Sequence, residues 1–207
     1  MERREQTVAL VSETQRHDDG GLVEACRRGE GRAFDELVRR YKDRVFAVVY
    51  RFLGDREEAL DVSQEVFVHA YRGLGGFRGT ARVYTWLYSI AANLARNRLR
   101  DLGRKGRNVT TSLEALQEQA PGVIESGREA GPNPRDAAMT EELRETLQQC
   151  LNELPEHYRL AFVLRTSEDL SYEEIAEIMG SPVNTVKSRL NMARQRLRDR
   201  LKELALI

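Results

Sequence analysis

Between Leu170 and Arg200 the chain carries two helix signals separated by one glycine turn, and this stretch constrains the fold more than any other. Ser171 and Glu174 have the spacing of a capping box, in which the serine side chain takes an orphan backbone N–H and the glutamate reaches back to the cap. Leu170 and Ile175 supply the matching hydrophobic staple. The pattern predicts a helix that stops at Met179, because Gly180 suits a left-handed C-terminal cap. Ser181 and Pro182 then predict an immediate second helix, with serine as the cap and proline at the first helical position. Helix, tight turn, helix is the layout of a helix-turn-helix.

The second of these helices has an apolar seam of Val183, Val186, Leu190, Ala193, Leu197 and Leu201. Asn184, Thr185, Ser188, Asn191, Met192 and Gln195 lie opposite, flanked by Lys187 and Arg189. Short polar and amide side chains can meet base edges in a major groove, while lysine and arginine meet guanine or phosphate. A solvated amphipathic helix has a similar composition. The capped partner helix and the tight turn favour DNA reading over that alternative.

The rest of the chain also repeats its apolar residues at threes and fours, as in Phe34, Leu37, Val38, Tyr41, Val45, Val48, Val49 and Phe52. Gly54 and Asp55 break that run, and a helix is expected from about Arg56 to Tyr71. Gly73, Gly75, Gly76 and Gly79 make a loop, followed by a helix from Tyr84 to about Leu102. A helix carrying Met139, Leu143, Leu147, Cys150, Leu151 and Leu154 ends at Pro155, which suits the first turn of the next, running to about Arg165. No alternating strand pattern appears, so the expected fold is all-α, with two small helical domains joined by a flexible linker. The expected divisions are a mobile arm over residues 1–21, a first domain over 22–105, an acidic linker over 106–138 and a second domain over 139–207. Fully extended, the linker could span on the order of 100 Å, so the two domains could act at separated sites.

The net charge of zero, taken alone, argues against a nucleic-acid partner, but the charge is segregated. Arg96, Arg98, Arg100, Arg104, Lys105 and Arg107 face only Asp101 in their stretch, and Lys187 to Lys202 is equally basic. An acidic spacer from Asn108 to Glu142 separates the two patches. Local field, not net charge, governs phosphate binding. Cys26 and Cys150 are isolated thiols, read as reduced packing residues. No apolar run approaches the ~18 residues of a membrane-spanning helix, and the first residues lack the apolar stretch of a secretory signal. No membrane insertion and a cytoplasmic location are expected.

The stretch from Asp61 to Phe67, then Phe77 to Gly79 and Tyr84 to Asn93, closely resembles region 2 of bacterial sigma factors of the extracytoplasmic-function group. Leu154, Pro155 and the helix-turn-helix resemble region 4 of the same group. The resemblance implies a subunit that joins core RNA polymerase, recognises promoter minus 35 and minus 10 elements, opens the latter, and is usually held by an anti-sigma partner. It implies contacts with the clamp helices of the beta-prime subunit and the flap of the beta subunit. Asp61, Gln64 and Glu65 are the candidate polymerase contacts, although a merely solvated acidic face looks alike.

For the minus 10 element the resemblance points to the loop with Phe77, Arg78 and Thr80 as the pocket of a flipped base. Asn93 would lie at its edge, with Arg96 and Arg100 on phosphate. Holding an opened strand needs such a cationic track with pockets or aromatic surfaces. Tyr84, Tyr88 and Trp86 offer aromatic rings nearby, Trp86 reading better as core. For the minus 35 element Thr185, Lys187, Ser188 and Asn191 are the base-reading candidates, with Arg189 and Arg194 on the backbone. Some relatives carry an aromatic residue followed by arginine where this chain has Asn191 and Met192, so a different base preference is expected.

An enzyme is not expected, and no cofactor is implied. His17, His69 and His157 are scattered, and neither a phosphate loop nor a nucleophile elbow is present. The remaining alternative is a stand-alone helix-turn-helix regulator that binds duplex DNA as a dimer. It would need a dimer interface or sensor in the first hundred residues, where this chain has an acidic helix, a glycine loop and a cationic helix.

Overall fold

A computed structural model of the chain describes residues 19–77, 79, 81–109 and 134–206, and among these the regular elements are all helical. They are α1 (Asp19–Arg27), α2 (Gly31–Leu53), α3 (Arg56–Gly73), a 3-10 turn (Leu74–Gly76), α4 (Val83–Val109), α5 (Pro134–Asn152), α6 (Glu156–Glu168), α7 (Tyr172–Met179) and α8 (Val183–Glu203).

In the N-terminal half α2 is the spine, packing against α1, α3 and α4. It ends where Gly54 takes the left-handed conformation at φ 79° and donates its N–H to the Tyr50 carbonyl at 2.7 Å. A side chain there would be strained and would collide with Asn152. Asp55 then starts α3 by accepting the Glu58 N–H at 2.9 Å. Ala59, Val62, Val66 and Ala70 form the fully buried seam of α3. Removing each such valine from water contributes about 2 kcal/mol.

In the C-terminal half α8 packs on α5, α6 and α7. Leu160, Ala161, Val163 and Leu164 of α6 are buried, as are Val186, Leu190 and Ala193 of α8. The two halves are also packed together: α2 meets α5 and α6, and α4 meets α7, so that one continuous apolar cluster runs through both.

Several expected boundaries move. Residues 1–18 of the expected arm lie outside the described residues, but Asp19, Gly20 and Gly21 belong to α1. The reason is tertiary: the Asp19 carboxylate is buried and accepts hydrogen bonds from the Tyr41 hydroxyl and Arg40. Of the expected linker, residues 110–133 lie outside the described residues, whereas α4 continues to Val109 and α5 begins at Pro134. Glycine costs a helix only about 1 kcal/mol, so Gly103 and Gly106 do not stop α4. Proline is favoured at a first helical position. Helix α6 runs on to Glu168.

Candidate nucleic-acid interface

The helix-turn-helix is built as its sequence predicts, with one exception. The Glu174 N–H donates to the Ser171 hydroxyl at 3.2 Å and the Ser171 N–H donates to the Glu174 carboxylate at 2.8 Å, closing the capping box. Gly180 caps α7 in the left-handed region at φ 57°. The exception is Ser181, which does not cap α8. Pro182 occupies the cap position, and its carbonyl accepts the Thr185 and Val186 N–H groups at 2.9 and 3.1 Å. The Ser181 hydroxyl instead accepts a hydrogen bond from Arg189 at 3.0 Å, which holds that guanidinium on the flank of α8. Proline's extended ψ of 146° already turns the chain into the helix, which releases the serine for this second task.

Around α8, Val186, Leu190 and Ala193 point inward, while Asn184, Lys187, Ser188, Asn191 and Arg194 are exposed and Thr185 and Arg189 half-buried. All six candidates for the minus 35 element therefore border one solvent-facing surface. Amides and hydroxyls run along its middle, with Lys187 and Arg194 on one edge and Arg189 on the other. Met192 is exposed on the same surface, and Gln195 is tied to Asp199 at 3.0 Å.

Helix α4 carries a second stripe. Asn93 and Arg100 are exposed; Ser89 and Arg96 are half-buried. Arg100 bonds within its own helix, to the Arg96 carbonyl at 3.3 Å and to Asn97. Arg96 pairs with Glu156 of α6 at 3.4 Å. Burial lowers its pKa from the usual arginine value, with Glu156 opposing and the nearby Arg189 and Arg100 charges adding to the shift. Phe77 is buried, its ring 4.8 Å from that of Trp86, so it supports the loop from within. Arg78 and Thr80 lie outside the described residues.

On α3, Asp61 and Gln64 are exposed, while Glu65 is shared with Arg98 of α4 at 3.2 Å. The same face exposes Leu60, Val68 and Tyr71. Tyr71 is two-thirds exposed and packs edge-on against Phe34 at 5.1 Å between centroids.

Residues 37–105 match the family described as Sigma-70 region 2, and residues 144–197 match Sigma-70, region 4. The chain is 42% identical over 190 residues to the RNA polymerase sigma-H factor of Pseudomonas aeruginosa, a match covering 90% of this chain and 95% of that one. It is 40% identical over 189 residues to the ECF RNA polymerase sigma-E factor of Escherichia coli K12, again covering 90% and 95%. The chain is an extracytoplasmic-function sigma factor of the sigma-70 family. It is thus a promoter-recognising initiation factor that works with core RNA polymerase, and nothing in these matches favours a stand-alone regulator. Its fold agrees with that of CnrH in complex with the cytosolic domain of CnrY, at a TM-score of 0.66 and 24% identity over 89% of this chain and 97% of that one. It agrees also with the sigma factor RpoE of Bartonella quintana in complex with the anti-sigma factor NepR, at 0.61 and 24% over 82% and 96%. Among the described residues no helix is long and apolar enough to cross a membrane, and no acidic, histidine and cysteine side chains cluster as a metal site would require.

Two sets of residues in this sigma factor escaped sequence reasoning. Leu60, Val68 and Tyr71 share the outer face of α3 with Asp61 and Gln64, yet helical spacing alone showed only that α3 has an acidic side. The signal was present in their spacing of eight and three, outside the buried seam. Tyr84 and Tyr88, which looked available for stacking on a base, are fully buried. Their hydroxyls donate to Glu174 and Glu168 of the C-terminal half. Periodicity marked α4 as amphipathic but could not reveal that the C-terminal half covers part of its buried face.

Proposed function

We propose that residues 22–109 form the minus 10 module and residues 134–206 the minus 35 module of this sigma factor. The observation that carries the reading is that two solvent-facing stripes of amides and cations, on α4 and α8, stand in the order of regions 2 and 4. In the first, Asn93 lies at the edge of a flipped non-template base, Arg96 and Arg100 hold phosphate, and the loop with Phe77, Arg78 and Thr80 shapes the pocket. In the second, Thr185, Lys187, Ser188 and Asn191 meet base edges, while Arg189 and Arg194 meet the backbone. The N-terminal turns of α8 are the ones a recognition helix inserts.

Asp61 and Gln64, with Glu65 beside them, dock on the clamp helices of the beta-prime subunit, and the exposed Leu60 and Val68 supply apolar contact at that docking face. Region 4 meets the flap of the beta subunit. An anti-sigma factor is the expected inhibitor, since a structural neighbour of the same fold is bound to one. The working compartment is the cytoplasm, where the polymerase is. No residue acts as a catalyst; the work is binding and strand separation.

The test uses purified core polymerase and promoter DNA. Asn93→Ala should impair open-complex formation while core binding stays intact. Permanganate reactivity in the melted region equal to that of the unaltered protein would remove Asn93 from this role.

A further inference from the structure

One side chain on the outward surface of α8 differs from its neighbours in chemistry. Asn184, Ser188 and Asn191 are short, polar and exposed. Met192 is 39% exposed beside them, and among the described residues of α8 it is the one large apolar side chain left at the surface. Helical spacing puts Thr185, Ser188 and Met192 on one stripe, at i, i+3 and i+7. The buried seam of Val186, Leu190 and Ala193 lies on the other side of the helix, so Met192 faces away from the core.

The surroundings leave this thioether open. The arginines one turn to either side are engaged elsewhere: Arg189 donates to the Ser181 hydroxyl at 3.0 Å, and the Arg196 guanidinium stands over the Tyr158 ring, 5.5 Å from its centroid. One turn further along the outward surface, Gln195 donates to both carboxylate oxygens of Asp199 at 3.0 and 3.1 Å. That amide nitrogen is committed, and the Asp199 charge repels phosphate. The surface suited to reading bases therefore ends at Met192.

A thioether is at best a weak acceptor, so Met192 stands outside the hydrogen-bond code of the base edges. The major groove offers one apolar feature, the C5-methyl group of thymine. An unbranched, polarizable side chain can settle against such a group in several rotamers. Four residues at ~1.5 Å rise put Met192 about 6 Å along the axis from Ser188. One base step is ~3.4 Å, so the two side chains meet different base pairs.

We infer that Met192 is a specificity-determining residue for the minus 35 element, packing its thioether against the C5-methyl group of one thymine. The inference rests on the assignment of α8 to that element. Burying one methyl group favours the methylated base about fourfold. The contact carries no charge, so it alters specificity without altering the dependence of binding on salt.

The test uses the full-length protein with core polymerase. The holoenzyme first selects its preferred minus 35 element from promoter DNA randomised over that stretch. Each thymine of the selected element, on either strand, is then replaced in turn by deoxyuridine, which lacks only the methyl group. For the unaltered holoenzyme one replacement should weaken binding about fourfold. With Met192→Ala the same replacement should cost nothing, and the salt dependence should stay as it was. A selected element without an A·T pair, a scan in which no methyl group matters, or an equal loss with Met192→Ala would each overturn the inference. Lys187→Ala and Asn191→Ala separate its failure from that of the wider assignment. If neither weakens binding to the selected element, α8 is not the reader; if they do and the scan is silent, only the role of Met192 fails.

Discussion

Helices α4 and α8 both present amides and cations to solvent, but they are supported differently. Helix α8 rests on one inward seam and leaves the opposite surface open, and the turn that leads into it is fixed by the capping box, Gly180 and the bond from Arg189 to Ser181. Helix α4 buries one broad face through Leu87, Ala91, Tyr84, Ala95, Tyr88 and Ala92. Its tyrosine hydroxyls end on carboxylates of the C-terminal half. A reader of duplex DNA can be self-supporting, because its target arrives already ordered. The strand-holding role proposed for α4 falls only after polymerase has docked.

The largest effect expected from this contrast is on stability. Leu190→Ala empties a site that is 1% exposed in the seam of α8 and should cost about 3 kcal/mol. Denaturant unfolding measures the loss, and hydrogen exchange locates it. Amides of α7 and α8 should lose protection while those of α3 keep theirs. Equal loss in α3 would show that the reader depends on the first module as much as α4 depends on the second.

The next effect separates base reading from phosphate holding on α8. Asn191→Ala should cost about 1–3 kcal/mol on the preferred minus 35 sequence and relax discrimination at one base position. Arg194→Ala should weaken all sequences alike and reduce the dependence of affinity on salt by about one ion. Binding titrations of holoenzyme on matched and mismatched promoters, repeated at several salt concentrations, read both quantities. If the two substitutions give the same pattern, the division between the middle and the edge of this surface is wrong.

How far the sequence disclosed all this depends on the range of the interaction. Caps and seams are local, so Ser171, Glu174, Gly180 and the buried side of α3 could be read from spacing, and the structure places them there. The helix-turn-helix and its exposed surface followed from the same short-range logic. The contacts between the halves were not readable. Arg44 and Glu168 are separated by 124 residues and Tyr88 and Glu168 by 80, and an apolar or aromatic period says that a face is covered without saying by what. The same limit turned Tyr84 and Tyr88 into apparent stacking platforms. At Ser181 the error was finer: serine and proline both suit a helix start, and which one caps depends on whether another donor, here Arg189, claims the hydroxyl.

Among local features, the N-cap of α7 should show a smaller effect. Ser171→Ala removes the hydroxyl that accepts the Glu174 N–H and should cost about 1 kcal/mol. The loss should appear as lower protection in α7 and a weakened grip on the minus 35 element. A cap that acted only through its helix would leave the contacts of α4 untouched. Glu174, however, belongs to both structures.

That dual role gives the smallest expected effect a definite sign. Burial pushes the Glu174 carboxyl up, but hydrogen bonds from Tyr84 and from Ser171, with the Arg82 charge nearby, outweigh it and hold the group below the usual carboxylate range. A depressed native pKa means that the unfolded chain binds the proton more readily, so acid favours unfolding. The contribution is fully present above the unfolded value of about 4.3 and is lost as pH falls through the lower native value. Thermal melts of the unaltered protein and Glu174→Gln should therefore differ by a constant amount from pH 5 to 8. The gap should close below about pH 4. Tyr84→Phe should narrow the gap and shift its closing upward, because it removes a donor that favours the charged form. A gap independent of pH would mean that the carboxylate charge does not support the cap, and that α7 is held by packing alone.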